Sequence, residues 1–292
     1  TRVTGHRHSV RGVFPGPRIL GFILCAGIVL AALTEWAMLS SVPTTGLTKI
    51  STPVEGDYVN FWAAGTLVRL GHGALLSDLD GYHAWLRQAI SPAIAFHAWS
   101  YPPPALFLAE PLSWLPLAGG FALWGLLTSV LAGWALRAAG APPRACLALL
   151  VSPAVLANFG NGQTGALAAA LLLAGLALAE RRPLLAGLCL GALVLKPQLA
   201  LLAPVCLLAR RQGKVVLVAG AVAVALCAAS WAGFGTASGR GFLAVNAPLS
   251  HELLERPFLG QAYQLMLTTV FSTLRAQGAS LATAWSLQAG VT

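Results

Sequence analysis

Charged side chains are scarce in this chain of 292 residues, at 9%, where an average soluble domain carries about 25%. Acidic groups are scarcest, nine Asp and Glu against 18 Lys and Arg, for a formal net charge of +9. Hydrophobic residues reach 57%, at a mean hydropathy of +0.74. One water-soluble core cannot absorb that much apolar surface, because such cores stop growing at roughly 250–300 residues and still need a polar coat. The shortage of charge therefore excludes a soluble enzyme and a disordered chain. Cysteine pairing is lacking too. Cys25, Cys146, Cys189, Cys206 and Cys227 lie singly inside apolar runs, with no CxxC and no His at metal-ligand spacing. Buried cysteine of that kind is a small hydrophobe, so neither a disulfide framework nor a zinc site is expected. What remains is an all-α, polytopic transmembrane helical bundle.

The excess of basic residues has a positional explanation. Arg2, Arg7, Arg11 and Arg18 precede the first apolar run, and Arg181–Arg182 and Arg210–Arg211–Lys214 punctuate later ones. Short basic loops of this kind hold a membrane protein in orientation on the cytoplasmic side. No basic face is interleaved with aromatics as single-strand binding needs, so no nucleic-acid partner is expected.

Spans of about 20 apolar residues cross the hydrocarbon core. The pattern predicts a single transmembrane domain: a cytoplasmic tail over 1–18, a first helix over 19–40, an outer catalytic loop over 41–101, a helical bundle over 102–234, an outer loop over 235–261, and the start of a further helix over 262–292. The first run is too long for a signal peptide, and Glu35-Trp36-Ala37-Met38 makes a poor cleavage site. In the first loop, 58–70 and 82–97 read as amphipathic interfacial helices, with Trp62, Trp85 and Trp99 suited to the membrane interface. Candidate spans follow at 119–136, 145–158, 164–179, 183–195, 198–209 and 215–234. Charge parity leaves 105–117 as a short or partly inserted helix and makes 183–209 a hairpin turning at Lys196-Pro197-Gln198. Beginning without Met and stopping soon after a helix has started, the chain is expected to be incomplete at its C-terminus.

On this map four polar insertions from distant sequence share the outer face. In Glu55-Gly56-Asp57-Tyr58, followed by Asn60, a carboxylate at the membrane edge can take a proton from an attacking hydroxyl; Asp57 can equally cap the next helix. Asn158, Asn161 and Gln163 either cap helix ends or bind sugar hydroxyls. Lys196 lies at the end of a run of apolar residues, a costly position that points to function. It can bind phosphate as a point charge, or snorkel to the interface. Tyr101-Pro102-Pro103-Pro104 imposes an extended approach to the next helix. Asp78 and Asp80 form a short DxD without a nucleotide fold around it, and His251, Glu252, Glu255 and Arg256 read as solvated loop residues.

The ordered strings GDYVNFWAAG, YPPPALFLAEPLSWLP, NFGNGQTGALAAALLLAGLAL and RRPLLAGLCLGALVLKPQLALLAPVCLLARR resemble glycosyltransferase family 87 over roughly residues 50–215. The resemblance implies an integral membrane transferase of the C-type fold. Its donor would be a polyprenyl-phosphate sugar, with mannose the best-known sugar, and its acceptor a lipid or glycan amid membrane lipids. Asp57 would be the catalytic base. Tyr101 would line the outer cavity, with Asn158 and Gln163 in the asparagine–glycine–glutamine turn and Lys196 near the donor phosphate. Gln198 and Asn60 join the substrate-binding set by adjacency, and Arg256 as a helper of Lys196. Because the lipid phosphate is already an activated leaving group, no metal and no cofactor is expected. The implied location is a bacterial inner membrane, multi-pass, with the site facing outward. A lipid or sugar transporter or flippase of envelope biogenesis is the alternative, since short broken helices at Lys196-Pro197 also suit transport.

Overall fold

A computed structural model of the chain describes residues 17–49, 51–259, 264, 267 and 269–291. The arginines at 2, 7 and 11 and the helix start expected near Ala262 lie outside these residues. The described residues form helices and turns, with no strand among them. Helix α1 (Pro17–Leu39) leads through a short α2 (Val42–Thr45) into the first loop, which holds α3 (Tyr58–Arg69) and α4 (Leu79–Ala89). After α5 (Leu106–Leu112) the bundle proper consists of α6 (Leu117–Ala138), α7 (Pro143–Leu150), α8 (Pro153–Gly160), α9 (Gly165–Leu178), α10 (Pro183–Ala192), α11 (Ala203–Ala209) and α12 (Gly213–Phe234). Beyond it lie α13 (Thr236–Gly241), a π turn at Phe242–Asn246, α14 (Ala247–Glu255), α15 (Val270–Ala276) and α16 (Leu281–Val291).

Three spans, Leu24–Thr45, α6 and α12, are long and apolar enough to cross a membrane, and the bent pair α7–α8 makes a fourth. The protein is a multi-pass membrane protein. The span expected at 145–158 is broken by 45°. Pro153 supplies no N–H and drives Ser152 into extended backbone (ψ 149°), so the helix restarts with the Ser152 hydroxyl accepting from Val155 N–H at 3.3 Å. The 105–117 piece is a helix of seven residues after a 3-10 turn at Pro103–Ala105, about 10 Å long and too short to cross. Helix α10, lengthened by a 3-10 turn at Leu193–Leu195, and α11 are short arms on either side of Lys196, but α10 packs against α9 and α12 rather than along α11. Close approach in the bundle depends on small residues. A Cβ on Gly187 would lie 2.5 Å from Val218, and one on Gly191 2.6 Å from Val222.

Three expectations are corrected. The amphipathic helix read at 82–97 runs instead from Leu79 to Ala89, because Pro92 disfavours helix in the residue before it; residues 94–100 belong to no helix. Trp99 is no interfacial anchor: it is 3% exposed and packs within the loop core, whereas Trp36 and Trp114 are 73% and 72% exposed. The segment after α12, read as a loop, is largely helical, and among the described residues the C-terminal region holds α15 and α16, separated at Gly278 (φ +84°).

The chain order of these helices sorts the polar residues to two ends. Arg137, Arg144, Arg181–Arg182, Arg210–Arg211 and Lys214 fall at the ends of α6, α9 and α11 and the starts of α7, α10 and α12. There Arg210 pairs with Glu180 at 2.5 Å. The opposite ends meet the first loop. Its core of Tyr58, Phe61, Leu67, Tyr82, Leu86, Trp99 and Leu106 closes over Trp124 of α6.

Candidate functional site

Two glycines bring the site together. Gly56 (φ +56°) and Gly162 (φ +60°) adopt left-handed backbone, which L side chains rarely tolerate. Between them, main chain meets main chain: Asp57 N–H donates to Asn161 O at 2.9 Å. A Cβ on Gly56 would lie 2.6 Å from Asn161 O, and one on Gly162 2.4 Å from Glu55 O. Only hydrogen fits in either place. The loop ahead of α3 is thus laced to the α8–α9 turn.

The lacing settles the use of Asp57. It stands at the N-cap position of α3, yet its side chain makes no cap bond. Instead Oδ2 accepts from the Gln163 side-chain amide, across 106 residues of sequence. Burial raises the Asp57 pKa above the ordinary carboxylate value, while the charges of His97 and Lys196 and the Gln163 hydrogen bond pull the other way. By contrast Asp78 of the DxD caps α4, accepting from Gly81 N–H at 3.0 Å.

Around this pair the YPPP segment and the turn after α10 supply a phenol and an ammonium. Tyr101 packs on Phe61 and Trp99, with ring centroids 4.8 and 5.2 Å away. Its hydroxyl lies 3.4 Å from Thr164 Oγ1, and burial pushes its pKa up to about 12, so it stays a neutral donor. Lys196 Nζ stands over the Tyr101 ring, 5.9 Å from the centroid, a cation–π distance. Below lies a narrow apolar cleft lined by Phe61, Leu167, Leu171 and Leu193, of about 10 Å³, room for roughly one water.

Of the residues expected to act together, Asp57, Tyr101, Gln163 and Lys196 meet. The others do not join them. Asn60 is buried, its Oδ1 accepting from the Tyr82 hydroxyl at 3.0 Å. Asn158 caps α9, accepting from Ala166 N–H at 2.9 Å. Gln198 is exposed on the turn after Lys196, and Arg256 is paired to Glu252 at 2.6 Å on an exposed part of α14. Sequence reading missed two members of the group, Thr164 and His97. Thr164 adjoins Gln163 in the string already singled out. His97 had been assigned to a helix, which hid its direction.

A multi-pass helical membrane protein with a carboxylate, an amide, a phenol and an ammonium gathered where loop meets bundle is suited to holding a polar head group beside apolar spans. The chain belongs to glycosyltransferase family 87, whose family model matches residues 99–292. It is a membrane glycosyltransferase, and so has a sugar donor and an acceptor. The matched span contains Tyr101, Asn158, Gln163, Lys196, Gln198 and Arg256 and starts downstream of Asp57 and Asn60; it reaches further toward the C-terminus than the strings at 50–215. No curated protein and no solved structure matches the chain.

Proposed function

We propose that the protein transfers a hexose, mannose, from a polyprenyl-phosphate donor to a hydroxyl of a lipid or glycan acceptor, with inversion at the sugar carbon. Asp57 is the general base. The observation that carries this reading is the Asp57 carboxylate itself, free of helix-capping duty and held by Gln163. A base must be held within reach of the hydroxyl proton, and a carboxylate lifted by burial binds that proton more readily than one in water.

Lys196 neutralises charge building on the leaving phosphate, the electrostatic contribution that is usually largest. Its position above an apolar cleft fits a lipid phosphate whose chain continues into the bilayer. The cleft below Lys196 is too small for a hexose, so the sugar lies on the Asp57 side of the ammonium. A largely apolar pocket of about 330 Å³ between α6, α7, α8 and α9, walled by Leu136, Leu149, Val155 and Leu173, supports an isoprenoid tail over a nucleotide. The gathering of basic residues at the ends remote from Asp57 supports a site facing outward across a bacterial inner membrane.

The test is to incubate the full chain, in lipid, with polyprenyl-phosphate mannose and a membrane glycolipid extract. Release of polyprenyl phosphate with a mannosylated product is expected from the wild type and not from Asp57→Asn. Equal release from both would reject Asp57 and direct attention to Glu55. Donor movement across the bilayer without bond cleavage would favour a flippase.

A further inference from the structure

We propose that His97 is a proton-relay residue of this site, taking from Asp57 the proton that the acceptor hydroxyl gives up. The inference rests on Asp57 being the base. Its grounds lie in how the segment after α4 is held. Ala95 N–H donates to Ser51 O at 2.7 Å, and Trp99 O accepts from the Asn246 side chain at 2.6 Å. His97 is therefore pinned on both sides. Trp99 and Tyr101 both lie against Phe61, one helical turn beyond Asp57, and His97, two residues before Trp99 and 7% exposed, acts electrostatically on Asp57.

The hydrogen bonding of the ring fixes its tautomer. Nδ1 lies 2.8 Å from Ala95 O, and a carbonyl oxygen only accepts, so Nδ1 carries the hydrogen. In the neutral ring Nε2 is then a bare acceptor, and among the described residues no side chain or backbone group hydrogen-bonds to it. The charged groups around His97 are Asp57 ahead of α3 and His83 of α4, with Lys196 beyond Asp57. Arg87 and Asp80 bear on His83, whose pKa is lowered chiefly by burial. The lowered pKa favours the neutral His83 ring, which does not repel a proton arriving at His97.

The chemistry balances without any further reactant. The acceptor oxygen forms its bond to the sugar carbon as the bond from that carbon to the phosphate oxygen breaks, and the electron pair leaves with polyprenyl phosphate. The acceptor proton passes to Asp57. From there it moves through a bridging water to His97 Nε2, making an imidazolium that returns it to water at the same nitrogen once the product has left the site. Burial raises the Asp57 pKa, so the acid gives up its proton less readily than one in water, and His97 supplies the outlet.

The experiment measures kcat and KM for donor and acceptor in His97→Asn and His97→Gln, with and without added imidazoles, in the full chain in lipid. Each amide can still donate to Ala95 O but cannot accept a proton. The expected result is a fall in kcat of about 10²-fold, KM values unchanged, and partial recovery with imidazole that grows with the basicity of the imidazole used. Asp57→Asn stays inactive whatever is added. With both variants melting in detergent as the wild type does, absence of recovery in both overturns the proposal, as does unchanged kcat or a loss confined to KM. Full activity in Asp57→Asn would instead overturn the base reading, an outcome distinguishable from failure of the relay alone.

Discussion

Replacing Gln163 with Leu keeps most of the side-chain volume and removes the side-chain amide that donates to Asp57. A hydrogen bond to a charged acceptor contributes about 1.5–3 kcal/mol. Asp57 is only half-buried and Lys196 and His97 still act on it, so the low end applies. At 1.36 kcal/mol per unit, that is a rise of about one pKa unit. The sign follows from which form the amide stabilises: it holds the carboxylate, and losing it favours the acid. The acid limb of kcat/KM against pH should therefore move up by about one unit in Gln163→Leu, while the plateau above it stays near that of the wild type. At a pH below both limbs the variant would be about tenfold slower, and raising the pH would restore it. The assay is release of polyprenyl phosphate over a pH series, at subsaturating donor. A limb that stays in place or moves down would refute the electrostatic role of Gln163, and a uniform loss at every pH would assign the residue to packing.

Three further outcomes are expected. Asp57 has a folded-state pKa above its unfolded one, so its contribution to stability is present at low pH and lost as pH rises through the folded value. Asp57→Asn should accordingly melt higher than the wild type at neutral pH and lose that advantage in acid, as thermal unfolding in detergent would report. Gly162→Ala places a Cβ 2.4 Å from Glu55 O in a left-handed residue; the conformation alone costs about 1–2 kcal/mol. Activity should fall with stability, and a variant as stable and active as the wild type would count against the lacing of the two loops. Asn246→Ala leaves the Leu76 and Trp99 carbonyls without the donor that now reaches them at 2.8 and 2.6 Å, at a cost of about 1–3 kcal/mol for each group left unpaired. Limited proteolysis should then cut the first loop faster while the spans stay protected.

The helical, membrane-spanning character of the chain was legible in the sequence because it follows from local properties. Apolar runs such as 117–138 and 213–234 must satisfy their backbone internally, and helix is the local way to do so. The basic pairs at 181–182 and 210–211 marked helix ends, and Lys196 after its apolar run marked a polar turn. Helix boundaries were less legible where proline acted. Pro153 bends a span that reads as continuous, and Pro92 ends a helix that apolar spacing alone would carry on to His97.

The site itself was legible as residues and not as a group. Asp57, Tyr101, Gln163 and Lys196 could each be singled out, but so could Asn158, Gln198 and Arg256, and nothing in their spacing separates the two sets. Composition and order determined a helical membrane protein with polar punctuation at both ends of its helices, since hydropathy and charge act over a few residues. Tertiary structure alone decided that Asp57 turns to Gln163 instead of capping its own helix, and that Asn158 caps where Gln163 reaches across. The difference arises because both choices are locally allowed. The close approach of the loops at Gly56 and Gly162, about a hundred residues apart in sequence, brings Gln163 to Asp57.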